Sequence, residues 1–287
     1  MDSFQMPIAY VNGSNIKYDQ YGERKNKHVL FIHGLGSSSI AWRDIPQALS
    51  EHFHTISVDL IGFGGSDKPQ TADYTIRGFS KFINDFIRKE EIGIKCNEKI
   101  TLVGHSLGGY IAADVAIQNK VNKDKDIQNK DIQLIEKLVL IDSSGMLTQP
   151  TQLLQQYHDV AMESEPEFGK VKKVFEQMYA HPFLLLDIVV HIFIRTIKEQ
   201  GAKRAFKTAF DDSTTRRIEK ERLNEIAEMP CLMIWGRKDS VIPPDYSNGF
   251  KEVFSDAAFE IIEDAGHAPF VEKTALVYEK LRTFLTR

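Results

Sequence analysis

The chain has 287 residues, of which 42% are hydrophobic and 26% charged, a composition typical of a globular protein long enough to bury a large core. Its formal net charge of −4 argues against nucleic acid or an anionic membrane as a partner. Residues 1–7 have neither a basic nor an apolar segment, so we expect no signal peptide and predict a cytoplasmic location. Cys96 and Cys231 lack metal-ligand spacing and are interpreted as reduced thiols.

A hairpin begins the predicted order of elements, because residues 8–11 and 15–21 flank the turn dipeptide Asn12-Gly13. Further strands are predicted at residues 28–32, 53–58, 99–103, 137–141, 231–235 and 259–262. Helices are predicted at residues 39–50, 76–89, 110–117 and 268–286. Repetition of strand, glycine-rich loop and helix indicates an α/β fold with a mostly parallel sheet and helices on both faces.

Two segments depart from this alternation. Residues 119–134 are polar and nearly repeat Asn-Lys-Asp-Ile-Gln, which predicts an extended surface loop without chemistry. Residues 146–227 contain helical patterns and no convincing strand. We therefore predict a core at 1–145 and 228–287, with a helical insertion at 146–227. Its most apolar part, 183–197, is too short and too charged for stable membrane insertion.

The stretch Gly104-His105-Ser106-Leu107-Gly108 lies between a predicted strand and a predicted helix. A serine on so sharp a turn has an exposed hydroxyl, and glycines on either side let the strand and the helix approach each other. The N–H groups at the start of the helix face any anion that forms at the serine. This context predicts that Ser106 is a nucleophile.

Further motifs occur in order along the chain, each after a predicted strand. They are His33-Gly34-Leu35-Gly36, Asp59-Leu60-Ile61-Gly62-Phe63-Gly64-Gly65-Ser66, Gly104-His105-Ser106-Leu107-Gly108-Gly109, Gly236-Arg237-Lys238-Asp239 and Gly266-His267. With them the chain resembles the α/β-hydrolase superfamily, specifically a serine hydrolase with a helical cap, and its order of serine, aspartate and histidine is the order of that family. The resemblance covers nearly the whole predicted sheet, whereas the cap matches only in position and helicity.

A serine hydroxyl attacks poorly at neutral pH, so a base must take its proton. His267 is the expected base, and Asp239 is the expected acid that orients it. Leu107, which follows the nucleophile, is expected to give one oxyanion-hole N–H, and the resemblance implies Leu35 for the other. We expect neither a metal nor a cofactor.

Several of these residues have alternatives. Asp142 also follows a predicted strand and could replace Asp239 as the acid. His33 and His105 are interpreted as structural histidines, and Asp59 as a brace for the loop that ends at Ser66.

The predicted function is hydrolysis of small-molecule carboxylic esters or lactones through an acyl-enzyme, with an apolar acyl group. Ser106 stands where epoxide hydrolases and haloalkane dehalogenases of this fold have aspartate, which argues against those reactions. A C–C hydrolase of ring-cleavage products is an alternative, although Ala268 stands where those enzymes usually carry tryptophan. A receptor-like binding protein is another alternative. The surplus apolar face of residues 183–194 predicts either an acyl pocket or a homodimer contact.

Overall fold

The structure, a computed structural model, describes residues 7–42, 44–95, 98–125 and 134–287. Its strands are β1 Ile8–Val11, β2 Ser14–Tyr21, β3 Lys27–Ile32, β4 Phe53–Val58, β5 Lys99–His105, β6 Leu134–Ile141, β7 Cys231–Gly236 and β8 Ala258–Ile262. They form one sheet in the order β1-β2-β4-β3-β5-β6-β7-β8. β1 and β2 pair antiparallel, and all strands from β4 to β8 in that order are parallel, so the predicted fold class is confirmed.

The helices are α1 Ile45–Leu49, α2 Ile76–Ile87, α3 Leu107–Lys125, α4 Gln152–Met162, α5 Phe168–Glu176, α6 Asp187–Ile197, α7 Ala202–Thr215, α8 Lys220–Asn224, α9 Asn248–Lys251, α10 Pro269–Glu272 and α11 Thr274–Thr286. They lie on both faces of the sheet. Successive residues of a strand point to opposite faces, so each buried strand packs against helices on both sides. Leu30 and Ile32 of β3 join the apolar cluster of α2 and α3. Val29 and Phe31 join the cluster of α1 and α11 on the other face.

Two predicted helices are broken. Within residues 39–50, a 3₁₀ turn at Ser39–Trp42 precedes α1, which has a proline in its first turn, where proline is tolerated. Within residues 268–286, Lys273 leaves the helical conformation between α10 and α11. There the Thr274 hydroxyl donates to the carbonyls of Phe270 and Val271, and such side-chain hydrogen bonds compete with continuous helix.

The prediction of an extended loop at 119–134 is wrong for residues 119–125 and for Leu134, with which β6 begins. α3 continues to Lys125, and Asn119 anchors the continuation by donating from Nδ2 to the Val115 carbonyl and to Asn84 Oδ1. Val121 also packs against the core. The polar composition of this segment does not predict a helix. The helix forms there because it continues from the buried first half of α3. Residues 126–133 of the predicted loop lie outside the described residues, as does Cys96, whereas Cys231 is a buried free thiol.

Between β6 and β7, residues 142–230 contain the helices α4 to α8 and no strand. We call α4–α8 the inserted helices; the boundaries 146 and 227 stay a prediction. Polar contacts connect these helices to the core: Arg222 pairs with buried Asp114 at 2.5 Å, and Asp212 accepts from the Ile76 N–H at 2.8 Å. Within the described ranges, no helix is both long enough and apolar enough to cross a membrane.

Candidate active site

Ser106 lies on a very tight turn between β5 and α3. Its φ of 53° is in the left-handed region that non-glycine residues rarely adopt. A Cβ on Gly104 would lie 2.2 Å from the Gly108 carbonyl oxygen, and a Cβ on Gly108 would lie 2.1 Å from that of Ile32. Only glycine fits at either position, which explains the residue types of the motif.

His267 and Asp239 are brought together from the loops after β8 and β7. Nδ1–H of His267 donates to Asp239 Oδ2 at 2.8 Å, and both side chains are buried. Oδ1 of Asp239 accepts from the N–H groups of Val241 and Ile242 at 2.8 and 3.0 Å. With its proton on Nδ1, the neutral imidazole presents an unprotonated Nε2, the form that a general base requires.

Among the described residues, Ser106 Oγ makes no hydrogen bond to His267 Nε2. In enzymes without substrate such bonds are often long and tighten only in the reacting complex. The turn that carries Ser106 nevertheless lies against His267, because the buried ring of His105, the residue before Ser106, has its centroid 4.8 Å from that of His267.

The backbone N–H groups of Leu35 and Leu107 donate no hydrogen bond within the described chain. Leu107 is buried and Leu35 half-buried, and two N–H donors without partners beside a nucleophile are suited to an oxyanion. On the inserted helix α4, the Tyr157 hydroxyl donates to the Leu35 carbonyl at 3.0 Å. Sequence reasoning missed this contact because nothing local to Tyr157 distinguishes it from a core aromatic.

The residues interpreted as structural have the expected backbone contacts. His33 donates from Nδ1 to the Gly34 carbonyl and accepts at Nε2 from the Leu60 N–H, and burial lowers its pKa. Asp59 accepts from the N–H groups of Ser39 and Gly65.

His105 donates from Nε2 to the backbone carbonyl of His267 at 2.7 Å. Burial, with a smaller contribution from His267, keeps the pKa of His105 well below its usual value. A neutral His105 therefore holds the His267 loop and is not needed as a base.

The inserted segment also touches the His267 loop. The His267 N–H donates to the Met178 carbonyl at 2.7 Å, and a Cβ on Gly266 would lie 2.3 Å from that oxygen. Glu272 accepts from the N–H groups of Gly266 and His181 at 2.6 and 3.1 Å, which connects α10 to both segments. No sequence signal could have found these contacts, because they join residues that are distant along the chain.

Asp142, the alternative acid, lies directly after β6 and is fully buried. Its Oδ1 accepts from the Gly236 N–H at 2.9 Å, and it makes no hydrogen bond to His267. Asp239 is therefore the carboxylate that is hydrogen-bonded to His267, and its role as the acid stays a prediction.

Asp142, Asp239 and His267 are the one group in the described ranges whose ligand atoms, all within 4.8 Å of one another, could share a metal ion. The hydrogen bond between His267 and Asp239, together with the two N–H groups on Asp239, already orients these side chains for proton transfer. These three side chains are therefore better suited to proton transfer than to binding a metal ion. The absence of metal and cofactor stays a prediction.

Comparisons with known proteins identify the family of this chain. Lipase 1 of Psychrobacter immobilis is 28% identical over 97% of this chain and 84% of its own length. The crystal structure of a membrane phospholipase A, described as a bacterial virulence factor, has a TM-score of 0.79 and 25% identity over 98% of this chain and 86% of that one.

The structure of a meta-cleavage product hydrolase from Pseudomonas fluorescens has a TM-score of 0.78 and 22% identity, covering 98% of this chain and 97% of that one. Residues 27–274, which include every motif of the site, match the family described as alpha/beta hydrolase fold. The chain therefore belongs to the α/β-hydrolase fold family.

Proposed function

We propose that this hydrolase cleaves carboxylic esters or lactones through an acyl-enzyme on Ser106. The observation that carries the proposal is the hydrogen bond between His267 Nδ1 and Asp239 Oδ2, 2.8 Å long and buried beside the serine turn. It fixes the tautomer that can accept the serine proton. The unpaired N–H groups of Leu35 and Leu107 supply the complementary site for an oxyanion.

The steps follow from these positions. Ser106 Oγ attacks the ester carbonyl while its proton passes to His267 Nε2, and the carbonyl oxygen becomes an anion bound by the two N–H groups. The tetrahedral intermediate collapses when the leaving alkoxide takes the proton from His267. Water then gives a proton to the same nitrogen and attacks the acyl-enzyme, and the second tetrahedral intermediate collapses to the acid as His267 returns this proton to Ser106 Oγ. Asp239 stabilises the imidazolium in both halves of the reaction.

An apolar acyl group fits the surroundings of the oxyanion loop. A Cβ on Gly36 would lie 2.2 Å from the Tyr157 hydroxyl and 3.1 Å from the rings of both Phe193 and Phe206. The inserted helices thus cover the loop with aromatic side chains. Lipase 1 of Psychrobacter immobilis, to which this chain is similar, is named as a lipase. Both observations favour an acyl group longer than acetyl.

The predicted surplus face divides into exposed and buried side chains. Phe183, Leu186 and Ile188 are 78%, 52% and 57% exposed, whereas Val190 and Phe193 are buried. Of these side chains, Phe193 lies beside Gly36 of the oxyanion loop, and the homodimer contact stays a proposal for the exposed ones.

The test is turnover of p-nitrophenyl butyrate by the wild-type protein and by Ser106→Ala, with a ring-cleavage dienoate as the second substrate. We expect ester turnover that falls by about four to six orders of magnitude in the variant, because triad members act as a unit. Faster turnover of the dienoate would favour the C–C hydrolase. No turnover of either substrate, with the fold intact by circular dichroism, would favour the receptor-like protein.

A further inference from the structure

Two buried carboxyl groups lie side by side behind His267. Asp142 and Asp239 follow the neighbouring strands β6 and β7, and one oxygen of each lies within 4.8 Å of the other and of a His267 ring nitrogen. Asp142 is 0% exposed and has a φ of 43°, a left-handed conformation that directs the chain sharply after the strand. The chain thus holds a second carboxyl against the acid of the triad.

The two carboxyl groups differ in their donors. Asp239 accepts three hydrogen bonds, from Val241, Ile242 and His267. Asp142 accepts one, from the Gly236 N–H at Oδ1, and its buried Oδ2 has no donor among the described residues. Donors stabilise a carboxylate, so the negative charge belongs on Asp239 and a proton on Asp142.

Electrostatics favours the same assignment. Burial, with further contributions from the charges of Asp239 and Glu272, raises the pKa of Asp142 well above its usual value. The titratable groups that face this carboxyl are Asp239, His267 and Glu272, and two of the three are acidic. Two buried carboxylates in contact cannot both be ionised without a large cost.

We propose that Asp142 is a positioning residue that remains a neutral acid and donates a hydrogen bond from its carboxyl O–H to the Asp239 carboxylate. The role rests on the proposed function, because it acts through Asp239 on His267. The bond fixes the rotamer of Asp239 and leaves one negative charge, the number that a single imidazolium requires. Asp142 itself contacts neither substrate nor the reacting atoms.

Infrared spectroscopy of the substrate-free protein detects directly whether the Asp142 carboxyl group is protonated. A neutral carboxylic acid has a carbonyl stretch that a carboxylate lacks, so the wild-type spectrum minus that of Asp142→Asn is expected to contain this band at neutral pH. A difference spectrum with carboxylate bands instead would overturn the proposal.

The stability of the same two proteins gives a second readout. Above about pH 3.8 the unfolded chain releases the Asp142 proton and the native state keeps it, so the native state loses stability as pH rises. Asparagine cannot titrate, and its amide can donate to Asp239 while accepting from Gly236. We expect the urea midpoint of the wild type to fall more steeply than that of Asp142→Asn between about pH 5 and pH 8. Equal slopes would contradict a buried neutral acid.

The positioning role is read from kinetics. Asp142→Ala is expected to lower kcat about tenfold, the equivalent of one hydrogen bond, with little change in KM. Asp142→Asn is expected to restore most of that loss, because its amide can donate to Asp239 in place of the carboxyl O–H. A kcat for Asp142→Asn as low as that of Asp142→Ala would overturn the role.

Failure of the inference and failure of the proposed function are distinguishable. Ester turnover with no carboxylic acid band would remove the inference alone. An acid band without hydrolysis that depends on Ser106 would remove the catalytic role and leave the protonation of Asp142 established.

Discussion

At the scale of single residues, both carboxylate oxygens of Asp239 accept hydrogen bonds. Two backbone N–H groups hold Oδ1, and His267 takes Oδ2. The carboxylate can therefore hold only one imidazole tautomer, with the proton on Nδ1. An amide at this position could turn its NH₂ toward His267 and favour the opposite tautomer.

Asp239→Asn is therefore expected to lower kcat by about 10⁴, the loss known for the corresponding change in serine proteases. The measurement is steady-state hydrolysis of p-nitrophenyl butyrate at neutral pH. Asp245→Asn, an exposed change in the same loop, is the control and should keep wild-type activity. A loss below tenfold for Asp239→Asn would mean that another group orients His267.

The sequence predicts Ser106, Asp239 and His267 because each belongs to a short motif after a strand, and the loops after parallel strands meet at one edge of the sheet. Their supporting residues have no such signal. The Met178 carbonyl that accepts from His267 is a backbone group, which no residue type predicts. The contact between Asp142 and Asp239 depends on strand order, since both are simply acidic residues at strand ends.

At the scale of elements, α4 connects the inserted helices to the oxyanion loop. Tyr157 is 7% exposed and donates its hydroxyl proton to the Leu35 carbonyl at 3.0 Å. That carbonyl belongs to the residue whose N–H is expected to bind the oxyanion. The position of the inserted helices and the shape of the oxyanion site are therefore coupled.

Tyr157→Phe removes only the hydroxyl and keeps the ring against Phe175 and Phe193. We expect kcat to fall about three- to tenfold with a smaller change in KM, and the free energy of unfolding to fall by about 1 kcal/mol. Tyr10→Phe, at a 60% exposed tyrosine of β1, is the matched control. An unchanged kcat would show that the oxyanion loop keeps its shape without α4.

The inner face of α6 gives a second prediction for the inserted helices. Each added methylene that is buried stabilises binding by about 0.8 kcal/mol, so kcat/KM should rise roughly fourfold per CH₂ over short linear p-nitrophenyl esters and then level off. The series runs from acetate to dodecanoate below micelle formation.

Phe193→Ala, at a buried position beside Gly36, should weaken this dependence on chain length. Ile188→Ala, at an exposed position of the same helix, should not. A steady decline from acetate onward in the wild type would contradict the apolar acyl site.

Helix ends and breaks were the least predictable features of the elements. Periodicity identifies the apolar face of α11 but not the break before it, which depends on the Thr274 hydroxyl. The extension of α3 to Lys125 depends on Asn119 contacting Asn84 of α2, a contact between two helices. Local patterns carry no information about such tertiary contacts.

At the scale of the whole molecule, a buried histidine pair lies at the start of the parallel sheet. His28 donates from Nε2 to Glu98 at 3.0 Å, so its Nδ1 accepts from His54 Nδ1–H at 2.9 Å. The buried Nε2 of His54 has no partner among the described residues. Burial, with smaller contributions from His28 and Arg24, lowers the pKa of His54 to about 4.

In the unfolded chain, His54 is therefore protonated below about pH 6.5. In the native state it becomes protonated only below about pH 4. Stability is therefore lost as pH falls through this window. Urea unfolding of His54→Gln should depend less on pH there than that of the wild type. His52→Gln, at an exposed neighbour, should keep the wild-type dependence. Parallel curves for wild type and His54→Gln would contradict a neutral buried His54.

The central claim is that Ser106 is the nucleophile, and covalent labelling tests it most directly. A fluorophosphonate is attacked only by an activated serine, so we expect one label per chain, located by mass spectrometry on Ser106. The label should be lost in Ser106→Ala and retained in Ser240→Ala, an exposed serine beside Asp239. Labelling of a different serine, or a label that persists in Ser106→Ala, would contradict the account.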